Sequence, residues 1–363
     1  MTEKHVLIAG ASGLVGAAAV RRFAGRSGCR VTCLSRRPFD AGEGVEFVSL
    51  DLDDRDRVLD EMSRRSGVTD VIYAALHEQD SLIAGWTEQD HVAKNARMLR
   101  NLMDAVDANA KGLRHVVLLQ GPKAYGVHVD PFAIPAREGR SERRDIPNFY
   151  WLQEDYIAGL QRSKSWAYTI FRPAFVVGQS TGGSMNWLAA IGVYAAILKA
   201  RGEPLHYPGD GRLIKQATDT DLMAAAFEWA QTAPTARNQT FNVANGEVFC
   251  FQTYWPQIAS ALGMKPGEEK PVSLAETMPS LADEWESIRA RHGLSAPDMK
   301  AFVGQSFQLA DFSMGVGARA IREPSILSEV KLREAGFHDV LATDVMFAKW
   351  FRRYQDAGLL PPA

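Results

Sequence analysis

The residues whose spacing speaks most directly of chemistry are three glycines and two arginines. "GASGLVG" runs from Gly10 to Gly16, straight after the apolar run "HVLIAG" (5–10) and into an Ala-rich segment. Gly10 permits a sharp turn, Gly13 lets a pyrophosphate approach the backbone, and Gly16 allows a helix to pack tightly on a sheet. Free N–H groups at the helix start then face the phosphates, so Ser12, Leu14 and Val15 are expected to contact a dinucleotide together with the glycines. The second apolar run ends "CLSRRP". An acidic side chain near this point usually binds the adenosine ribose of NAD, but here the chain offers Ser35, Arg36 and Arg37. Guanidinium groups match a phosphate in shape and charge, which favours NADPH.

A third candidate is Tyr150, in "NFYWLQED" (148–155). A lysine four residues on would share its helical face. Glu154 stands there instead. Glu154 and Asp155 are expected as acids of the first helical turn, favoured by the helix dipole.

Other chemistries find little support. The chain has 363 residues, with 41 basic and 43 acidic side chains, a net charge of −2. That balance carries no electrostatic footprint for nucleic acid or an anionic membrane. Cys29, Cys33 and Cys250 make no disulfide framework, and the eight histidines show no metal-ligand spacing, so no metal is expected. No secretory leader and no apolar stretch of ~20 residues is read. The expectation is a reduced, cytoplasmic protein acting on a small molecule; a homodimer stays open.

The elements that must position these residues follow from periodicity. "HVLIAG" (5–10), "RVTCLS" (30–35), "VEFVSLD" (45–51), "DVIYAAL" (70–76), "HVVLLQG" (115–121) and "YTIFRPAFVVG" (168–178) are near-continuous apolar runs. Such runs suit strands buried on both faces, the habit of parallel sheets. Between them lie helical patterns such as 90–109, where Val92, Met98, Leu99, Leu102, Met103 and Val106 fall mostly three or four apart. The alternation predicts an α/β fold, a doubly wound Rossmann-type parallel sheet. After about residue 180 helical patterns dominate (183–200, 221–232, 252–263, 282–292), and "QTFNVANG" (239–246) reads as a strand returning to the main sheet. A nucleotide domain over 1–180 and a smaller, mainly helical substrate lobe over 181–363 are expected, with "GQSTGG" (178–183) glycine-rich enough to hinge. In that frame Asp51 and Leu52 fall where the adenine is contacted, unless "DLDD" is only a helix cap. Ala74 and Ala75 are expected along the cofactor's sugar and diphosphate. Gln120, Phe175 and Val176 complete the expected cofactor set, together with Tyr150.

"LQGPKAYG" (119–126) and "NFYWLQED" together resemble the progesterone 5β-reductase/iridoid synthase-like enzymes, an atypical extended branch of the short-chain dehydrogenase/reductase superfamily. "SRRP", "NARMLRNLMDA" (95–105), "RPAFVVGQSTGGSMN" (172–186) and "TFNVANGEVF" (240–249) extend the likeness over most of the chain. Extended dehydrogenases usually carry Tyr-x-x-x-Lys and a Ser or Thr in the loop after the fifth strand. Here Gln120 and Gly121 stand at the hydroxyl positions, and Lys123 lies in the same loop. The resemblance implies an NADPH-dependent 1,4-reductase of enones with Tyr150 and Lys123 as catalytic pair. In that role the ammonium is expected to lower the phenol's pKa. Tyr125, Phe132, Phe149, Trp151, Met185 and Trp187 are the aromatic and apolar residues expected around the substrate. Trp151 and Gln120 depart from the usual motif and leave the substrate open among steroid-like 4-en-3-ones, enals and cyclic enones. Carbonyl reduction, another extended-dehydrogenase reaction and a non-catalytic NADP sensor are the competing readings.

Overall fold

The six apolar runs and the returning strand near 239–246 all contribute to one parallel sheet. In the computed structural model, residues 4–39, 41–78, 88–129, 132–180, 185–317 and 324–363 are described. The chain begins β1 (Lys4–Ala9), α1 (Leu14–Phe23), β2 (Cys29–Ser35), β3 (Val45–Ser49), α2 (Arg55–Ser63), β4 (Asp70–Tyr73), α3 (Gln89–Asn109) and β5 (His115–Leu119). A 3-10 turn (Pro122–Tyr125) leads to α4 (Phe149–Gln161), β6 (Ala167–Pro173), β7 (Phe175–Val177) and α5 (Trp187–Ala200). Then come β8 (Leu205–Tyr207), β9 (Ile214–Asp219), α6 (Thr220–Ala230), β10 (Gln239–Val243), β11 (Val248–Cys250), α7 (Phe251–Ala261) and β12 (Pro266–Glu269). Among the described residues six α-helices follow, the last over Thr343–Asp356.

The contacts divide the chain into two units. The first comprises Met1–Ala174, Thr220–Val243 and Leu327–His338. Its sheet has the strand order β10-β6-β5-β4-β1-β2-β3, and every pairing is parallel. The order reverses between β1 and β4, as in a doubly wound fold, and the crevice at such a switch point is where ligands bind. Burial explains the composition of the strands: Val6, Leu7, Ile8 and Ala9 of β1 and Val71 and Ile72 of β4 have no exposed surface. The apolar stripe of α3 packs on the same core through Met98, Leu99, Leu102, Met103 and Val106. Truncating Leu99 or Leu102 to alanine costs about 2–5 kcal/mol at such sites.

The expected run 168–178 is not one strand. β6 stops at Pro173, which has no N–H for the ladder, and the next amide, Ala174, bonds to Val243 O at 3.1 Å. β7 instead pairs with β9 in a three-stranded sheet of the second unit. That unit, Phe175–Asp219, Ala244–Ile326 and Asp339–Ala363, is mainly helical. It is built around α5, whose residues from Trp187 to Leu198 are all buried. The first unit thus ends six residues earlier than the expected boundary of 180 and regains 220–243 and 327–338.

Candidate active site

The glycine turn and the ends of β2 and β4 converge. Gly10 has φ +80°, and a Cβ there would lie 2.6 Å from the backbone of Ala74 and Ala75. A Cβ on Gly16 would lie 2.1 Å from Gly10 O. Both positions therefore require glycine. The side chains of Ser12 and Ser35 share a hydrogen bond of 2.7 Å, and Arg37 N–H donates to Ser35 Oγ at 3.3 Å. Arg36 and Arg37 project their side chains into solvent beside this turn. No side chain caps α1 at Gly13, so first-turn amides, including those of Leu14 and Val15, suit a ligand anion. These residues fit a dinucleotide phosphate. Leu52 is buried, while Asp51 Oδ1 accepts from Asp53 N–H and Asp54 caps α2 by accepting from Arg57 N–H. Asp54 thus performs the capping role that "DLDD" suggested.

Lys123 and Tyr150 are brought together by one amide side chain. Asn148 is the N-cap of α4: its Oδ1 accepts from Tyr150 N–H at 3.0 Å, while its Nδ2 donates to Lys123 O at 3.3 Å. Helix start and 3-10 turn are thereby fastened to each other. The phenol hydroxyl lies over Gly121, where an added Cβ would be 3.3 Å from it. Gly121, Lys123 and Tyr150 thus share one corner at the end of β5. Tyr150 is 6% exposed, and burial pushes its pKa up, with Arg172 acting weakly in the opposite sense. The expectation that an ammonium lowers this pKa is therefore corrected: burial favours the protonated phenol. Burial also lowers Lys123 well below the usual lysine value, opposed by the charge of Glu78. Two histidines share this corner. Burial drives His91 and His128 down to about 4 each, and the charge of Lys123 contributes to both shifts. His91 packs edge-on against Phe149, with centroids 5.6 Å apart.

Glu154 is not in the first turn of α4, which holds no acid. Its carboxylate accepts from Arg172 Nη2 at 3.1 Å and from Arg144 Nη2 at 3.1 Å. Asp155 binds Arg144 Nη1 at 3.0 Å. The 1% exposed Arg172 also donates to Gln120 Oε1 at 2.8 Å, Tyr125 Oη at 3.2 Å and Glu142 Oε1 at 2.7 Å. Gln120, read as a cofactor contact, spends its other end on Tyr150 O (3.2 Å) and Glu154 Oε2 (3.4 Å).

The aromatic residues divide. Tyr125 is fully buried, donates to Asn242 Oδ1 at 2.6 Å and stacks on half-buried Phe132 with centroids 6.5 Å apart. It fills the underside of the loop. Trp151 lies near the guanidiniums of Arg144 (4.8 Å) and Arg172 (5.7 Å), with its indole N–H on Ile146 O at 3.2 Å. Phe149 meets the Tyr150 ring at 4.7 Å. Phe175, Val176, Met185 and Trp187 belong to the second unit. There Trp187 is 1% exposed and stacks on Phe251 at 4.7 Å. The hinge expected at 178–183 falls partly outside the described residues.

Asn148, Arg172, His91 and His128 were not singled out from sequence. An Asn directly before a helical pattern is a readable cap signal; the buried Arg172 in "FRP" carries none.

A profile described as the NAD dependent epimerase/dehydratase family matches residues 6–244. An (S)-8-oxocitronellyl enol synthase of Nepeta racemosa is 30% identical, with 99% of this chain and 94% of that protein covered. A 3-oxo-Delta(4,5)-steroid 5-beta-reductase of Arabidopsis thaliana is 29% identical over the same shares. A short chain dehydrogenase of Penicillium aethiopicum is 28% identical over 99% of both chains. The NAD complex of a Thermus thermophilus UDP-glucose 4-epimerase superposes with a TM-score of 0.67 at 20% identity, covering 97% and 99% of the two chains. That likeness concerns the fold.

Proposed function

Because the chain belongs to the NAD-dependent epimerase/dehydratase family and, within it, to the steroid 5β-reductase/iridoid synthase-like branch, we propose that it reduces the C=C bond of α,β-unsaturated carbonyl compounds by NADPH-dependent 1,4-addition. NADPH, when bound, would supply the hydride for the β-carbon. Negative charge then moves onto the carbonyl oxygen, and the chain's task is to meet it there. The neutral phenol of Tyr150 donates a hydrogen bond that strengthens as the oxygen becomes an enolate. Lys123, its charge disfavoured by burial, is favoured in its ammonium form as that negative charge develops. Water supplies the proton to the α-carbon. Arg36 and Arg37, with Ser35, would hold the ribose phosphate that distinguishes NADPH. Phe132 and Phe149 offer apolar contact to the substrate.

Two relatives fit this chemistry by name: a 3-oxo-Δ4,5-steroid is an enone, and an enol is what such an addition generates. The observation that carries the reading is the Asn148 side chain, which holds Tyr150 N–H and Lys123 O at once. The test is NADPH consumption with 2-cyclohexenone, progesterone and enals, with product identification. Tyr150→Phe removes one donor and is expected to lower kcat ~100-fold or more, and Lys123→Met likewise lowers kcat. Undiminished turnover in both variants rejects the catalytic pair; an allylic alcohol in place of a saturated ketone rejects 1,4-reduction.

A further inference from the structure

Two departures from the usual dehydrogenase pattern, Gln120 for a hydroxyl residue and Glu154 for the helical lysine, meet in the structure on a single side chain. Arg172, 1% exposed on β6, holds Gln120 Oε1 through Nε at 2.8 Å and Glu154 Oε2 through Nη2 at 3.1 Å. Gln120 Nε2 then reaches Tyr150 O at 3.2 Å and Glu154 Oε2 at 3.4 Å. The guanidinium therefore connects β6, the end of β5 and the first turns of α4 with charge-assisted hydrogen bonds, which are stronger than neutral ones. Glu142 at 2.7 Å and Tyr125 Oη at 3.2 Å both accept from its Nη1. The charge is paired, and Glu154 also accepts from Arg144 at 3.1 Å. A lysine at 154 would confront both guanidiniums.

We propose that Arg172, Gln120 and Glu154 form a positioning cluster for Tyr150, taking over by fixed geometry what an in-helix lysine does elsewhere. Gln120 and Glu154 are positioning residues: they hold the first turn of α4 so that the phenol stays above Gly121. The proposal rests on Tyr150 being the hydrogen-bond donor of the reaction, and it explains why one substitution accompanies the other. Replacing the hydroxyl residue by Gln supplies the amide that spans from Arg172 to the Tyr150 carbonyl, and Glu154 closes the ring.

A merely structural cluster and a positioning one differ in how they couple to Tyr150, which a double-mutant cycle measures. Gln120→Met keeps the side-chain length and removes all three hydrogen bonds of the amide. It is expected to lower kcat for an enone about tenfold with KM for NADPH within about twofold of wild type, since misplacing a reacting group costs rate. In the Tyr150→Phe background the same change is expected to cost less than about twofold, because the hydroxyl it positions is gone. Glu154→Ala, at a partly exposed carboxylate, replaces it in the cycle if Gln120→Met does not fold. Equal losses in both backgrounds, or no loss in the wild-type background, overturn the positioning role while leaving the catalytic reading intact. A Tyr150→Phe variant as active as wild type overturns both, and that result is visible before any Gln120 variant is made.

Discussion

Gly121→Ala is the sharpest probe of where the phenol must stand. Gly121 has extended backbone, φ −176° and ψ −172°, which alanine adopts without strain. The added methyl would find one heavy atom within 4 Å, the Tyr150 hydroxyl at 3.3 Å. Favourable separation between heavy atoms is about 3.5–4.0 Å, so the hydroxyl must retreat by roughly 0.2–0.7 Å. A 1 Å error at a reacting centre costs on the order of a hundredfold, about 2.7 kcal/mol. Scaled to about 0.3 Å, the penalty is about 0.8 kcal/mol, a fall in kcat of roughly fourfold. Steady-state reduction of 2-cyclohexenone measures it, with thermal unfolding as control; a stability change within about 0.5 kcal/mol is expected at a site of this kind. In Tyr150→Phe the clash disappears and the methyl should be silent. An unchanged kcat for Gly121→Ala, or an equal loss beside phenylalanine, would refute the placement of the hydroxyl as the limiting donor.

Other expectations follow from the same geometry. Arg36→Asp should move the ratio of kcat/KM values from NADPH toward NADH by at least tenfold; an unchanged ratio rejects the ribose-phosphate contact. Gly16→Ala places a methyl 2.1 Å from Gly10 O, so unfolding experiments should show a loss of about 3 kcal/mol and weakened protection by NADPH. Burial holds His115 near a pKa of about 4, so the unfolded chain binds the extra proton first. Stability is then full above about pH 6.5 and falls as pH drops from there toward 4; denaturant titrations across this window should show the slope, and His115→Gln should reduce it. Since burial raises the Tyr150 pKa, kcat should show no loss from phenol ionisation below about pH 10; an alkaline fall at pH 8–9 that Tyr150→Phe abolishes would contradict it.

The nucleotide half was the legible part. Its strands are buried on both faces, so Val6–Ala9, Val31–Leu34 and Val116–Leu118 betray themselves as unbroken apolar runs. The returning strand expected over 239–246 pairs with β6 as β10 (Gln239–Val243). Less visible was the exchange of partners inside 168–178, where Pro173 ends one ladder and β7 joins β9; a run of apolar letters does not say which sheet it enters. Glu154 was misjudged as a first-turn acid. Helix phase shows which residues share a face, while the position of Arg172, 18 residues on and in the next element, follows only from sheet order.

By itself the sequence determined the local requirements of this protein: glycines where the backbone passes too close for a Cβ, apolar strands, and a phenol without its helical lysine. Only the tertiary structure decided what surrounds that phenol. Parallel pairing of β5 with β6 brings Arg172 beside Gln120, the Asn148 side chain draws Lys123 toward Tyr150, and removal from water keeps the tyrosine protonated while disfavouring charge on the lysine. Such effects arise from groups far apart in the chain sharing one poorly hydrated corner, and pairwise spacing along a sequence does not encode solvent access.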